Sequence, residues 1–264
     1  MNEQDAYKKS SFGPAFFFLG KSRRAALAHY YTFCRIADDI ADEPQPNAPQ
    51  ALKDLAKEVE FIYLGAPKTS WGCGLEEYVR TFHIPKDRFM LLLEGMQADL
   101  EQKRYPTFEA LQWYLYRVAV IVGKATLDIL GVQGEKADAL ANALGTAVQL
   151  TNIVRDVQED AKLGRVYLPC ELTAAQILEN KNLTLVKQLQ QKMAQKAKEQ
   201  YALAFQLMDD FWPIKMFPCR IMGYIYQKNL AKIEEMNFAG DTPVKLTKFE
   251  KMQMVGYAFI KTLF

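Results

Sequence analysis

Asn152, Asp156 and Asp160 recur every fourth residue in the stretch from Gln149 to Pro169, QLTNIVRDVQEDAKLGRVYLP. On a helix such a set projects from one face, each member about 5.4 Å beyond the last, and Gln149 lengthens the stripe by one turn. Three oxygen-bearing side chains in line, with apolar Ile153, Val154 and Val157 on other faces, suit a hard divalent cation such as Mg²⁺. One acidic stripe alone is more often a solvated face. A second stripe changes the reading. Within YTFCRIADDIADE, residues 31–43, the side chains of Tyr31, Arg35, Asp38, Asp39 and Asp42 fall along one side of an otherwise apolar segment. Carboxylates that face each other from two helices repel, and a bound cation removes that cost. Arg35 and Arg155 add positive charge beside the same stripes, so the expected ligand is a phosphate or diphosphate ester.

Helices must carry both stripes. The first belongs to a helix expected over 21–42, ended by Glu43 and by prolines at 44, 46 and 49. The second belongs to a helix expected over 136–160, with Gly164 as its stop. Thr107 caps a helix that starts at Phe108 and runs towards Leu130, almost wholly apolar from Trp113 to Gly123. Other helical patterns cover 51–64, 75 to just before Pro85, 89–101 and 185–211. Pro213 and Pro218 then interrupt the chain before a helix over 219–235. Asp99 reads on spacing alone as a surface acid. There is no strand alternation and no fixed-period repeat. The fold expected is all-α: one domain over residues 1–264, a bundle of roughly ten helices around a deep apolar cavity. The final GYAFIKTLF is apolar enough to cover the core or to lie on a bilayer, and core packing is the default.

Composition narrows the classes further. Half of the 264 residues are hydrophobic and 24% are charged, with a formal net charge of +2 and no basic block with interleaved aromatics, so nucleic acid is not the expected partner. Cys34, Cys73, Cys170 and Cys219 form no C-x-x-C pair and no secretory signal precedes them, which points to reduced thiols and a cytoplasmic protein. No apolar run approaches the roughly 20 residues that span a bilayer. If the chain meets a membrane, it meets only the surface. Two histidines, no serine elbow and no glycine-rich phosphate loop leave acyl transfer and zinc hydrolysis poorly supported. Oligomeric state is not readable.

The two stripes resemble the aspartate motifs of the squalene/phytoene synthase family, D-x-x-x-D at Asp38 and Asp42 and N-x-x-x-D-x-x-x-D at Asn152, Asp156 and Asp160. The flanks are similar too: Ser10-Ser11-Phe12, Gly95-Met96 with Asp99, Tyr105 to Leu111, Tyr114 to Gly123, and G-R-x-Y-L-P from Gly164 to Pro169. The resemblance runs from about residue 10 to 230 and implies an isoprenoid-synthase-like bundle. It implies Mg²⁺, with Mn²⁺ as a substitute, on Asp38, Asp42, Asn152, Asp156 and Asp160. Substrate would be held by Ser11, Phe12, Tyr31, Arg35, Gln149, Arg155, Arg165 and Tyr226. Asp99 moves towards the cavity, and Tyr114 lies close to the reacting carbons, where a phenol can stabilise a cation or take its proton. The implied reaction is head-to-head condensation of two prenyl diphosphates. Segments 95–111 and 217–235 most resemble the bacterial presqualene diphosphate synthases of the family, so farnesyl diphosphate is the expected substrate, with geranylgeranyl diphosphate and phytoene as the alternative. A reductive second step with NADPH stays open. Two departures stand out. Val120 occupies the place of a small residue after Val-Ala, which would change the shape of the pocket, and the family's late phosphate-binding arginine has no clean counterpart, since Lys245, Lys248 and Lys251 read as a solvated basic face. From other classes, a terpene cyclase lacks its N-D-x-x-S-x-x-x-E pattern here, and a noncatalytic helical partner-binding protein would not need all five metal-binding side chains.

Overall fold

The first stripe sits on α2, Lys21–Asp42, whose 22 residues include neither glycine nor proline. Ala26, Leu27, Tyr30, Phe33, Ala37 and Ala41 recur at three- and four-residue spacing and are buried. Tyr31, Arg35, Asp38 and Asp42 form the neighbouring stripe, offset by about 100°. The computed structural model describes residues 13–42, 46–101, 104–239 and 244–263. Ser11 and Phe12 lie outside the described residues.

Before α2 comes α1, Gly13–Phe17. After it follow α3 (Ala48–Tyr63), α4 (Ser70–Thr81), α5 (Asp87–Glu101), α6 (Phe108–Leu115), α7 (Ile121–Leu130), α8 (Glu135–Arg155) and α9 (Val157–Lys162). The chain continues through α10 (Ala174–Leu178), α11 (Leu183–Met208), α12 (Pro213–Glu235) and α13 (Lys248–Leu263). The all-α expectation holds: among the described residues the β structure is one isolated bridge between Arg104 and Val166. Helix α8 lies centrally and packs against α7, α11 and α12. The buried side chains form a large cluster that includes Tyr30, Phe33, Phe89, Leu150 and Ile225, and a smaller one around Val120, Leu140 and Met216.

Three elements depart from the sequence-based expectation. The helix expected over 136–160 divides at Asp156, whose φ of −102° and ψ of 14° place it in the sparsely populated bridge region. The Asp156 amide still donates to the Asn152 carbonyl at 2.9 Å and the Asp160 amide to the Asp156 carbonyl at 2.8 Å, so the second motif bends without coming apart. Between α6 and α7 the chain makes a π-helical turn, Tyr116–Val120. One extra residue in a turn rotates everything after it relative to a 3.6-residue period. Val120 accordingly packs in the smaller core cluster and does not line the cavity, contrary to its expected place in the wall. The turn can lie this close to α8 because residue 145 is glycine: a Cβ there would stand 2.8 Å from the Val120 Cα. Finally, α12 begins at Pro213 and not at Cys219, and carries Pro218 within it. Proline at the first helical position costs no hydrogen bond, whereas Pro218, within the helix, leaves the Ile214 carbonyl without its i+4 donor.

Candidate active site

A cavity of about 560 Å³ opens between α2, α5, the π turn with α7, α8 and α12. From Asp156 back to Leu140, both in its wall, α8 rises about 24 Å at 1.5 Å per residue. From Asp38 back to Leu27, α2 rises about 16 Å. The cavity is therefore acidic at one end and apolar at the other.

The structure brings the predicted side chains to this one cavity. Tyr31, Arg35, Asp38 and Asp42 line it from α2; Gln149, Asn152 and Arg155 from α8; and Asp156 and Asp160 from the junction with α9. Tyr114, Arg165 and Tyr226 complete the set. Asp39, grouped with the first stripe on spacing, is absent from the wall and pairs with Arg35 on the outer side. Lys245, Lys248 and Lys251 do not reach the cavity.

Arginines hold the acids. Arg35 donates to Asp38 at 2.5 Å, and Arg155 grips the Asp156 carboxylate with two bonds of 2.7 and 2.6 Å. Arg165, buried, reaches across to α2, donating to Asp42 at 2.5 Å and to the Ala41 carbonyl at 2.6 Å. Its guanidinium joins the flank of the second motif to the end of the first, a tie between residues 123 positions apart. Among the described residues no three His, Cys, Asp or Glu side chains converge closely enough to chelate one ion.

The donor set nonetheless fits a hard divalent cation. Burial, and then the neighbouring Asp156 carboxylate, push Asp160 up to about 8, and burial with Asp42 beside it pushes Asp38 up to about 6. In both, burial is the larger cause and a neighbouring carboxylate adds to it. The Asn152 Oδ1 is buried with no hydrogen-bond donor. Asp38, Asp42, Asn152, Asp156 and Asp160 thus offer oxygen atoms, one without a hydrogen-bond donor and two whose charged form is disfavoured, a set that a hard cation such as Mg²⁺ would suit.

That electrostatic poise has a measurable consequence. A carboxyl whose folded pKa lies above its unfolded value near 3.9 binds more protons when folded, so stability falls as pH rises through the interval. In the absence of divalent cation the thermal midpoint is expected to fall between about pH 4 and pH 8, and Mg²⁺ with inorganic diphosphate should recover most at the alkaline end. A metal effect of equal size at both ends would remove Asp38 and Asp160 from the ligand set.

Asp99 is the side chain that spacing misplaced. It is buried on α5 and lines the cavity, where it accepts from the Tyr114 hydroxyl at 2.9 Å and the Tyr167 hydroxyl at 2.6 Å. The two phenolic oxygens are 3.3 Å apart, and the rings of Tyr105, Tyr114 and Tyr167 pack with centroids 5.0–5.8 Å from one another. Burial raises Asp99 to about 6 against the lowering effect of Tyr167, Arg165 and Tyr114. Periodicity could not reveal this cluster because its partners lie 15 and 68 residues from Asp99. The sequence signals for it were the family matches at Gly95-Met96, Tyr105 to Leu111, Tyr114 to Gly123 and G-R-x-Y-L-P.

The squalene/phytoene synthase family model matches residues 6–250. A presqualene diphosphate synthase of Rhodopseudomonas palustris is 32% identical over 95% of this chain and 94% of its own. Phytoene synthase 2 of Solanum lycopersicum is 31% identical over 94% of this chain and 86% of its own. Among solved structures, a dehydrosqualene synthase in complex with ligand superposes with a TM-score of 0.85 at 26% identity, covering 98% of this chain and 95% of that one.

Proposed function

We propose that this chain, which belongs to the squalene/phytoene synthase family, joins two farnesyl diphosphates head to head into presqualene diphosphate within one domain. The observation that carries the reading is the graded cavity: paired acids and arginines at one end, apolar walls of α2, α7, α8 and α12 at the other. Charged heads bind at the acidic end and prenyl tails fill the depth. A cavity of about 560 Å³ is of the size that encloses extended apolar ligands.

The reaction needs an allylic carbon–oxygen bond to break with its electron pair leaving on diphosphate. Mg²⁺ bound by Asp38, Asp42, Asn152, Asp156 and Asp160 would neutralise the negative charge that develops there. Arg35 and Arg155 change partners from Asp38 and Asp156 to the diphosphate oxygens, a bidentate match for either anion. Gln149, Tyr31 and Tyr226 complete the polar collar around the heads. Arg165 stays on Asp42 and Ala41, keeping the two motifs in register. The apolar walls exclude water from the allylic cation, which the C2–C3 double bond of the second substrate attacks. The C1′ proton then leaves as a second bond from C1′ closes the cyclopropane. Tyr114 accepts that proton at its Oη while its own proton passes to the Asp99 Oδ2, 2.9 Å away. No dinucleotide fingerprint accompanies the cavity, and presqualene diphosphate forms without NADPH. No described helix is long and apolar enough to cross a membrane. A cytoplasmic protein that touches a bilayer peripherally fits substrates of this kind.

Identity to a phytoene synthase is nearly the same as to the presqualene enzyme. Geranylgeranyl diphosphate is thus the second substrate to try. Purified protein with Mg²⁺ and radiolabelled farnesyl or geranylgeranyl diphosphate, each alone and without NADPH, should yield a C30 cyclopropylcarbinyl diphosphate from the first. Phytoene from the second alone would move the assignment to carotenoid synthesis. A cyclic hydrocarbon from one substrate would make the chain a cyclase, and no product from either would leave a binding protein.

A further inference from the structure

We propose that α13, with the exposed end of α1, forms a face that docks on an anionic lipid bilayer. The inference deepens the peripheral contact proposed above by assigning its surface. Phe249, Met252, Gly256, Phe259, Ile260 and Leu263 fall on one side of the helix, within an arc of about 100°. The large side chains of that arc are between 54% and 71% exposed. Ala258, on the opposite side, is the one fully buried residue of the helix. Met254, Val255 and Ala258 pack on the core, in keeping with the default, so α13 covers the core with one side and leaves a second apolar side outward.

The patch continues beyond α13. Phe259 stands 6.2 Å from Phe217, which stands 5.0 Å from Phe18, itself 5.3 Å from Phe17. Phe17 is 70% exposed and Ile214, one turn from Phe217 on α12, is 71% exposed. Phe217 itself is buried, so it links exposed apolar groups on α13, α1 and the start of α12 from beneath, and exposed apolar side chains gathered in this way mark an interaction site.

Charge selects the occupant. From Val244 to Leu263 there are four lysines, Lys245, Lys248, Lys251 and Lys261, against a single acid, Glu250, which is already paired with Lys232. A large apolar stripe with lysines beside it is the pattern of a helix lying in the interface of a membrane with anionic headgroups. A second copy of the chain would bring the same lysines against their own kind. Residues 1–12, MNEQDAYKKSSF, are too polar to cover such a surface. The cavity supplies a reason for the location: Phe16 and Pro218 line its apolar end, while adjacent Phe17 and neighbouring Phe18 face outward. One short helix separates the space for prenyl tails from the docking face.

The test uses the full chain without substrate, so that it stands or falls apart from the condensation. Flotation with phosphatidylcholine vesicles containing about a quarter phosphatidylglycerol is expected to carry the protein, and pure phosphatidylcholine to carry much less. Met252→Glu with Ile260→Glu should lower partition about tenfold or more with thermal midpoint and turnover of detergent-dispersed substrate unchanged. Lys248→Gln with Lys261→Gln should abolish the preference for the anionic vesicles. If the glutamate pair lowers the thermal midpoint, Phe17→Glu repeats the test from α1. Absence of flotation, or flotation indifferent to these variants, overturns the proposal. A dimer in sedimentation equilibrium that the glutamate pair dissociates, without vesicle binding, would assign the face to a second copy instead.

Discussion

Asp156→Ala is expected to lower turnover by a factor on the order of 10³ while leaving the helical circular dichroism intact. Two features make the effect large. Asp156 lies at the acidic end of the cavity on the bend between α8 and α9, and lines that end together with Asn152 and Asp160. Its carboxylate is also the present partner of Arg155, whose guanidinium must be both held and released. On the proposed reading, removing it takes away an oxygen ligand and the restraint on that arginine together. The fold should tolerate the change because the side chain is 31% exposed and packs in neither core cluster. Stability at pH 8 should be unchanged or higher, since Asp156 is the charge that, after burial, most raises Asp160. Steady-state kinetics at several Mg²⁺ concentrations, with circular dichroism on the same samples, reads both results. Activity within threefold of the parent would remove Asp156 from the metal set, and a collapsed spectrum would make its role structural.

Tyr114→Phe should depress kcat by about 10²–10⁴-fold with little change in KM, the pattern of an interaction made only as the proton leaves. The ring and its packing against Tyr105 and Tyr167 are retained, so cavity shape is preserved. What disappears is the hydroxyl that donates to Asp99, the proposed proton acceptor. Asp99 keeps the Tyr167 donor, and losing one of two donors should cost about 1–3 kcal/mol of stability. Asp99→Asn gives the complementary result: the side chain remains polar and the same size but can no longer take a proton, so kcat falls while the thermal midpoint moves little. A rise in KM with kcat unchanged in Tyr114→Phe would place the tyrosine in substrate binding alone.

Much of this site was legible before any coordinates. The offset between the apolar positions of α2 and its Tyr31, Arg35, Asp38 and Asp42 stripe is a property of one helix, and the expected limits of 21–42 match the observed ones. Such patterns are local, because residues three and four apart on a helix are neighbours whatever the rest of the chain does. The motif spacing identified the acids for the same reason, and family likeness supplied Tyr114, Arg165 and Tyr226, which the cavity then gathers with them.

What periodicity could not decide depends on packing between distant segments. Asp99 reads as a surface acid until α5 meets Tyr114 and Tyr167, and Val120 reads as cavity wall until the π turn rotates it into the smaller core. Arg165 carries no sign in its own segment that it will close on Asp42. In α13 the pattern was visible, but an amphipathic stripe specifies only that one side differs from the other. Whether the apolar side faces inward or outward is set by the neighbours: Phe249, Met252 and Ile260 stay exposed because α13 packs by the side that carries Met254, Val255 and Ala258, against a core to which α12 and α1 contribute. Local hydrogen bonding thus determined the helices and the order of their chemistry, whereas burial, which needs partners from elsewhere in the chain, determined which faces became cavity, core or surface.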